Sequence, residues 1–350
     1  MKATYKKFDL IFKRPSGTSR GVLTTKETWF IILEENGRKG IGECGIFRGL
    51  SVDDVPEYEE KLNWVVVNIH KGLDYLLMVL ESFPSIQFGL EQAFLSLKAK
   101  DDFSLYPSDF TSLEAPIDIN GLIWMGDENF MLQQIEEKLK QGFRCIKLKI
   151  GAIDFNTELS LLAAIRKKYN KEQIELRVDA NGAFSEDTAL EKLKQLAVYD
   201  IHSIEQPIKQ GNIVAMQKLC KNTPLPIALD EELIGVFSVT DKEKLLQIIK
   251  PQYIILKPSL VGGFKGSEEW ITLANKYNIG WWITSALESN IGLNAIAQWT
   301  YMLNNKMPQG LGTGALFTNN FNSPLMVKEG KLRYSKERNW KKNLIENLCI

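Results

Sequence analysis

CIKLKI at residues 145–150 opens a stretch, running to Gly263, in which one device recurs: a short run of β-branched and aliphatic residues that ends in a charged side chain. The later runs are IELRVD ending at Asp179, HSIE at Glu205, PIALD at Asp230 and YIILK at Lys257. Counted from Lys149, these charged ends stand 30, 26, 25 and 27 residues apart, which leaves room each time for a loop and one helix. That is the period of a βα unit. Parallel strands joined by helices all point the same way, so their charged ends converge on the face where a (β/α)8 barrel keeps its chemistry.

The chain has 350 residues, more than the roughly 250 of one barrel, so a second unit of about a hundred residues is expected. Lys and Arg number 43, as do Asp and Glu, and no long basic run exists to mark a nucleic-acid partner. A small-molecule carboxylate or neutral metabolite is the expected ligand. Cys44, Cys145, Cys220 and Cys349 stand far apart without a C-x-x-C pair, which argues against a zinc site or a disulfide framework. The N-terminus, MKATYKKFDLIFKRPSG, lacks an apolar signal core, and no apolar run approaches the ~20 residues of a membrane span. A cytoplasmic protein is expected.

Outward from the repeat, Tyr5 to Phe12 alternates, and Trp29–Leu33 joins Lys39–Glu43 through Glu34-Glu35-Asn36-Gly37, a hairpin signal. From about 52 to 100 the period becomes helical, with Val65, Ile69, Leu73, Leu76, Leu77 and Leu80 on one stripe and a second run from Phe88 to Leu97. The fold class expected is α/β: a (β/α)8-type barrel over residues 113–322, under an N-terminal α+β cap over 1–112 that a C-terminal segment, 323–350, returns to complete. Residues 107–116 read as a linker, 117–123 as the first barrel strand, 127–141 as its helix, 309–312 as a short eighth strand and 326–334 as a hairpin going back to the cap. The segment after Thr18 and GIFRGL at 45–50 are placed to close over the barrel mouth.

Side chains alternate across a strand, so Lys147 and Lys149 turn inward together with Leu148 on the other face, and Arg177, Asp179 and Asn181 behave likewise. Two ammonium groups a strand step apart repel each other's proton, so at least one pKa is expected to fall toward that of a general base. An isolated K-x-K is ordinarily a solvated strand edge, a reading that leaves the carboxylates downstream unexplained. Asp179, Glu205 and Asp230 close three successive strands, and carboxylates so near one another stay ionised around a cation. Single acidic strand ends are commonly helix N-caps; three at near-equal spacing are not. Oxygen ligands without Cys or His point to Mg²⁺, with Mn²⁺ as a substitute. Lys257 follows four apolar residues, so its head is expected to face the metal from the side opposite Lys149. The two histidines, His70 and His202, stand away from strand ends and read as structural. Gly262-Gly263 lacks phosphate-loop spacing and reads as a tight turn.

With K-x-K, Asp, Glu, Asp and Lys in this order on successive strands, the chain resembles the enolase superfamily, and within it the muconate lactonising branch. The resemblance spans the whole chain, including the cap helix EQAFLSL at 91–97. It implies Mg²⁺ held by Asp179, Glu205 and Asp230, with Lys149 as catalytic base, Lys147 as its partner and Lys257 on the other face. Such sites set a Lys or His base beside one or two Mg²⁺; the His-Asp version is disfavoured because no histidine stands at a strand end. TSALESNIGLNAIAQ (284–298) and GLGTGALFTNNFNSPL (310–325) resemble those members that form o-succinylbenzoate by syn dehydration of 2-succinyl-6-hydroxy-2,4-cyclohexadiene-1-carboxylate. Asn181, Thr284, Ser285, Gly312 and Thr313 are the candidate substrate contacts.

Acylamino-acid racemases share parts of both motifs, so proton transfer between Lys149 and Lys257 is the alternative on the same machinery. Dipeptide epimerases usually carry a D-x-D on the last strand, which GLGTG lacks. A non-catalytic ligand-binding barrel is the alternative of another class; losing one of the six charged residues would favour it, and all six are present.

Overall fold

The computed structural model describes residues 1–18, 21–124 and 127–348, so Cys349 and two residues of the expected lid after Thr18 lie outside the described residues. Strands β1 (Lys2–Thr18), β2 (Gly21–Glu35) and β3 (Arg38–Cys44) form an antiparallel sheet in that order. The hairpin between β2 and β3 turns on Asn36 and Gly37, with φ 52° and 77°, the two positive values of a type I′ turn. Helices α1 (Tyr58–Asn68), α2 (Leu73–Val79) and α3 (Pro84–Lys98) cover the sheet. The stripe expected to run through Leu80 is interrupted at Gly72, whose φ of 82° separates α1 from α2. Helix α3 lies so close to β3 that a Cβ on Gly42 would stand 1.9 Å from the Gly89 carbonyl oxygen.

The expected linker carries a short helix, α4 (Asp109–Leu113), closed by a capping box between Ser108 and Thr111. The single strand expected over 117–123 is divided, because the backbone changes partner at Ile119. Its amide donates to the Gly330 carbonyl, whereas that of Asn120 donates to Gln309. Strand β4 (Ile117–Asp118) therefore pairs antiparallel with the C-terminal hairpin, and β5 (Gly121–Ile123) begins the barrel.

Strands β6 (Cys145–Lys149), β7 (Glu175–Asp179), β8 (Ser203–Glu205), β9 (Ile227–Leu229), β10 (Tyr253–Leu256) and β11 (Gly280–Ile283) follow β5 in sequence order as one parallel sheet. Between them run α5 (Glu128–Lys140), α6 (Phe155–Lys168), α7 (Glu186–Ala197), α8 (Ile213–Asn222), α9 (Val239–Ile249), α10 (Pro258–Val261) and α11 (Gly263–Lys276), and α12 (Asn290–Met302) follows β11. Ile146, Leu148, Val178, Ile204, Leu229 and Leu256 form the core between sheet and helices. The eighth position is held by Gln309 and Gly310. Gln309 donates its amide to Asp118 O (2.8 Å) and accepts that of Asn120 (3.0 Å), while Gly310 donates to Ile283 O (2.8 Å) and accepts from Ser285 (3.1 Å). Both sheet edges are thereby joined into a ring.

The hairpin of β12 (Leu325–Lys328) and β13 (Lys331–Tyr334) does not return to the cap as expected; it covers the otherwise open edge of β4 through Leu332–Ile117 and Lys331–Asp118. The cap is reached by α13 (Leu344–Leu348), where Leu344, Ile345 and Leu348 pack with Phe30, Ile32 and Ile41. No helix among the described residues is long and apolar enough to cross a membrane.

Candidate active site

Strand alternation sends Leu148 into the helix-side core and turns Lys147 and Lys149 inward. Lys149 on β6, Asp179 on β7 and Glu205 on β8 are register partners, and Asp230 and Lys257 directly follow β9 and β10. The Lys147 ammonium donates to Glu205 Oε2 and lies 3.1 Å from Asp179 Oδ2. Lys149 donates to Asp179 Oδ2 at 2.8 Å and to Asn181 Oδ1 at 2.7 Å. Lys257 donates to Asp230 Oδ2. All three lysines and Asn181 line one cavity.

The sequence-based expectation that paired lysines depress each other's pKa is reversed at Lys147. Burial disfavours its ammonium, but the charges of Asp179 and Glu205 outweigh burial and hold the pKa above the ordinary lysine value. Lys257 is raised in the same way against burial, chiefly by Asp230 and then Glu205. Asp179 feels burial upward, yet Lys147 and Lys149 hold its carboxyl well below the usual range. Glu205 is pushed up by burial and by the Asp179 charge.

Among the described residues no three His, Cys, Asp or Glu side chains form a ready metal cluster, and the Lys147 ammonium stands between Asp179 and Glu205. The donors nevertheless suit a hard cation. They are carboxylate oxygens from adjacent strand ends, and Glu205 Oε1 is buried with no hydrogen-bond partner among the described residues, a costly position that a cation would relieve.

Phe47 and Leu50 of the cap, Trp124, Leu287 and Leu316 give the cavity apolar walls, so the 45–50 segment does lie at the barrel mouth. Thr284, Ser285, Gly312 and Thr313 line it as well. Gly310 must be glycine, since a Cβ would stand 2.4 Å from Thr284 Oγ1. His202 packs its ring on Tyr253 beneath the site, with centroids 4.9 Å apart, and His70 lies in a 3-10 turn of the cap.

Sequence reasoning overlooked several buried carboxylates, of which four bear on the site and on the cap–barrel boundary. Glu231 lines the cavity and accepts a hydrogen bond from Asn181 Nδ2 at 3.0 Å; the DEE run at 230–232 was its signal. Glu91 of α3 accepts the amides of Phe264 (2.5 Å) and Lys265 (2.9 Å), capping α11 from across the cap–barrel boundary. The turn at Gly262-Gly263, with φ 96° and 73°, makes room for it: a Cβ on Gly263 would stand 2.0 Å from Glu91 Oε2. Glu43 of β3 takes the amides of Ser289 (2.9 Å) and Gly292 (2.8 Å) at the start of α12. Glu288, behind the cavity wall, accepts from Ser259 and Ser285.

Residues 131–338 match the family described as enolase C-terminal domain-like. The chain is 48% identical to the o-succinylbenzoate synthase of Desulfotalea psychrophila over 96% of its own length and 99% of that protein. It is 27% identical to the L-Ala-D/L-Glu epimerase of Bacillus subtilis, over 59% of this chain and 54% of that protein. Among solved structures, MenC from Desulfotalea psychrophila superposes with a TM-score of 0.86 at 45% identity, covering 95% of this chain and 99% of that one. Muconate lactonizing enzyme from Pseudomonas fluorescens, at 22% identity with a TM-score of 0.84 over 99% and 98% of the two chains, shares the fold. The chain therefore belongs to the enolase superfamily, the family of the o-succinylbenzoate synthase that it matches along nearly its whole length.

Proposed function

We propose that this chain is an o-succinylbenzoate synthase, a carbon–oxygen lyase that removes water from 2-succinyl-6-hydroxy-2,4-cyclohexadiene-1-carboxylate in the cytoplasm, on the route to menaquinone. The observation that carries the reading is that Lys149 and Lys257, at two separate strand ends, line one cavity and are each held by a carboxylate, Asp179 and Asp230, with Glu205 at the strand end between these two. The extent of identity with the Desulfotalea synthase supports the same substrate.

Lys147 orients the ring carboxylate. Lys149, aimed by Asp179 and Asn181, takes the proton α to that carboxylate when its amine is free. Lys257 presents a cation to the other face of the enediolate that results. Lys149 then returns its proton to the departing hydroxide, so that one C–H and one C–O bond break on the same face and the ring becomes aromatic. Asp179, Glu205 and Asp230 would hold Mg²⁺, which when bound supplies positive charge where the carboxylate gains electron density. The apolar walls of Phe47, Trp124 and Leu287 keep water away from the reacting carbons.

The test is turnover of the ring substrate by purified protein with Mg²⁺, read beside racemisation of an N-succinyl amino acid. Fast racemisation without dehydration would replace this reading with a racemase.

A further inference from the structure

Glu288 is fully buried, yet it organises two loops of the barrel mouth. Its Oε1 accepts the Ser259 hydroxyl and its Oε2 the Ser285 hydroxyl, each at 2.6 Å. Ser259 lies two residues past Lys257, and Ser285 two residues past the end of β11, so one side chain ties neighbouring strand ends together. A carboxylate has no proton to give, so both serines must donate to it. Ser285 Oγ is then left to accept, from the Leu287 amide at 3.1 Å and from the Thr313 hydroxyl at 2.9 Å. Thr313 uses its hydroxyl proton on Ser285, and what it can offer the cavity is an oxygen lone pair.

The cap closes on the same carboxylate. A Cβ on Gly45 would stand 3.0 Å from Glu288 Cγ and 3.2 Å from Ser259 Cβ, so a glycine there lets the segment that carries Phe47 and Leu50 settle onto the wall. Lys26 of β2 is buried and its ammonium has no hydrogen-bond partner among the described residues; burial lowers its pKa, against the pull of Glu43 first and then of Glu288 and Glu27. A buried ammonium needs such counter-charge.

We propose that Glu288 is a positioning residue: it fixes α10, the short helix directly after Lys257, against residues 284–289 and sets Thr313 as a hydrogen-bond acceptor toward the substrate, with Lys26 of the cap as a counter-charge that it shares with Glu43. The wall it organises receives a hydroxyl or amide donor and turns away a carboxylate, which favours the pose with the ring carboxylate on the lysine side. The proposal rests on the synthase reading only for the choice of substrate.

The experiment compares Glu288→Gln, Thr313→Val and Lys26→Met with the doubles E288Q/T313V and K26M/E288Q. Each is read as kcat and KM on the ring substrate and on an N-succinyl amino acid, and as Tm. E288Q and T313V should each lower kcat/KM by about ten- to a hundredfold, as expected for one misdirected hydrogen bond, and their double should be no worse than the poorer single. K26M/E288Q should melt above K26M while keeping the activity loss of E288Q. Full activity in T313V, additive losses in E288Q/T313V, or recovery of both Tm and activity in K26M/E288Q would each overturn the proposal. If wild type racemises without dehydrating, the synthase reading falls, and the same comparison on racemisation still decides the role of Glu288.

Discussion

Inside the barrel the Lys147 ammonium meets Glu205 through one carboxylate oxygen, and the other, Oε1, stays buried without a donor among the described residues. Titrating Mg²⁺ into chelator-treated protein is expected to raise Tm and dehydration activity together. Glu205→Gln removes one of three negative charges and should weaken apparent Mg²⁺ affinity by about tenfold or more, a change of ~1.4 kcal/mol. Undiminished activity in excess chelator, with no metal bound, would sink the cation site.

The lysines separate dehydration from racemisation. Lys149→Ala should lower dehydration by roughly 10²–10⁴-fold for loss of the acid–base alone, and further for lost positioning. Lys257→Arg keeps the charge but cannot act as a base near neutral pH, so it should retain measurable dehydration and abolish any racemisation. Rates of both variants on both substrates check this; equal loss of the two activities in Lys257→Arg contradicts it.

Burial pushes the Glu91 carboxyl up to about 8, against the pull of the two amides it caps. The folded protein then binds this proton more tightly than the unfolded chain, where a glutamate titrates near 4.5. The resulting stability is fully present below that value and is lost as pH rises through about 8. Glu91→Gln, whose amide does not titrate, should lack this fall, so the margin of wild type over the variant narrows between about pH 5 and about pH 9. A Tm series that keeps a constant margin would show that Glu91 does not carry the proton.

Gly42 is where the cap helix touches the cap sheet, so Gly42→Ala pushes a methyl group into the Gly89 carbonyl. A loss of about 2–3 kcal/mol is expected in denaturant unfolding. An unchanged midpoint would mean that α3 can shift away at little cost.

The barrel and its six charged residues were legible because a strand followed by a helix imposes a period on the sequence, and because alternation decides which side chains turn inward. The divided strand at Ile119 was not legible, since the apolar run over 117–123 carries no mark of a change of partner. Glu43, Glu91 and Glu288 read as ordinary strand, helix and loop acids. The amides that Glu43 and Glu91 cap belong to distant parts of the chain, and the Ser259 hydroxyl that Glu288 holds lies beyond a whole helix–strand unit. The electrostatic expectation for Lys147 weighed its lysine neighbour alone; the carboxylates of two other strands decide the sign.

The ring of strands is shut by two residues. Gln309 bonds Asp118 and Asn120 on one side, Gly310 bonds Ile283 and Ser285 on the other, and Arg177 on β7 reaches the carbonyl of Pro308 just before them at 2.9 Å. During synthesis the first barrel strand therefore keeps one edge open until residues 309 and 310 have left the ribosome. Closing the barrel is thus a non-local step that comes late, and the edges it joins stay exposed until then.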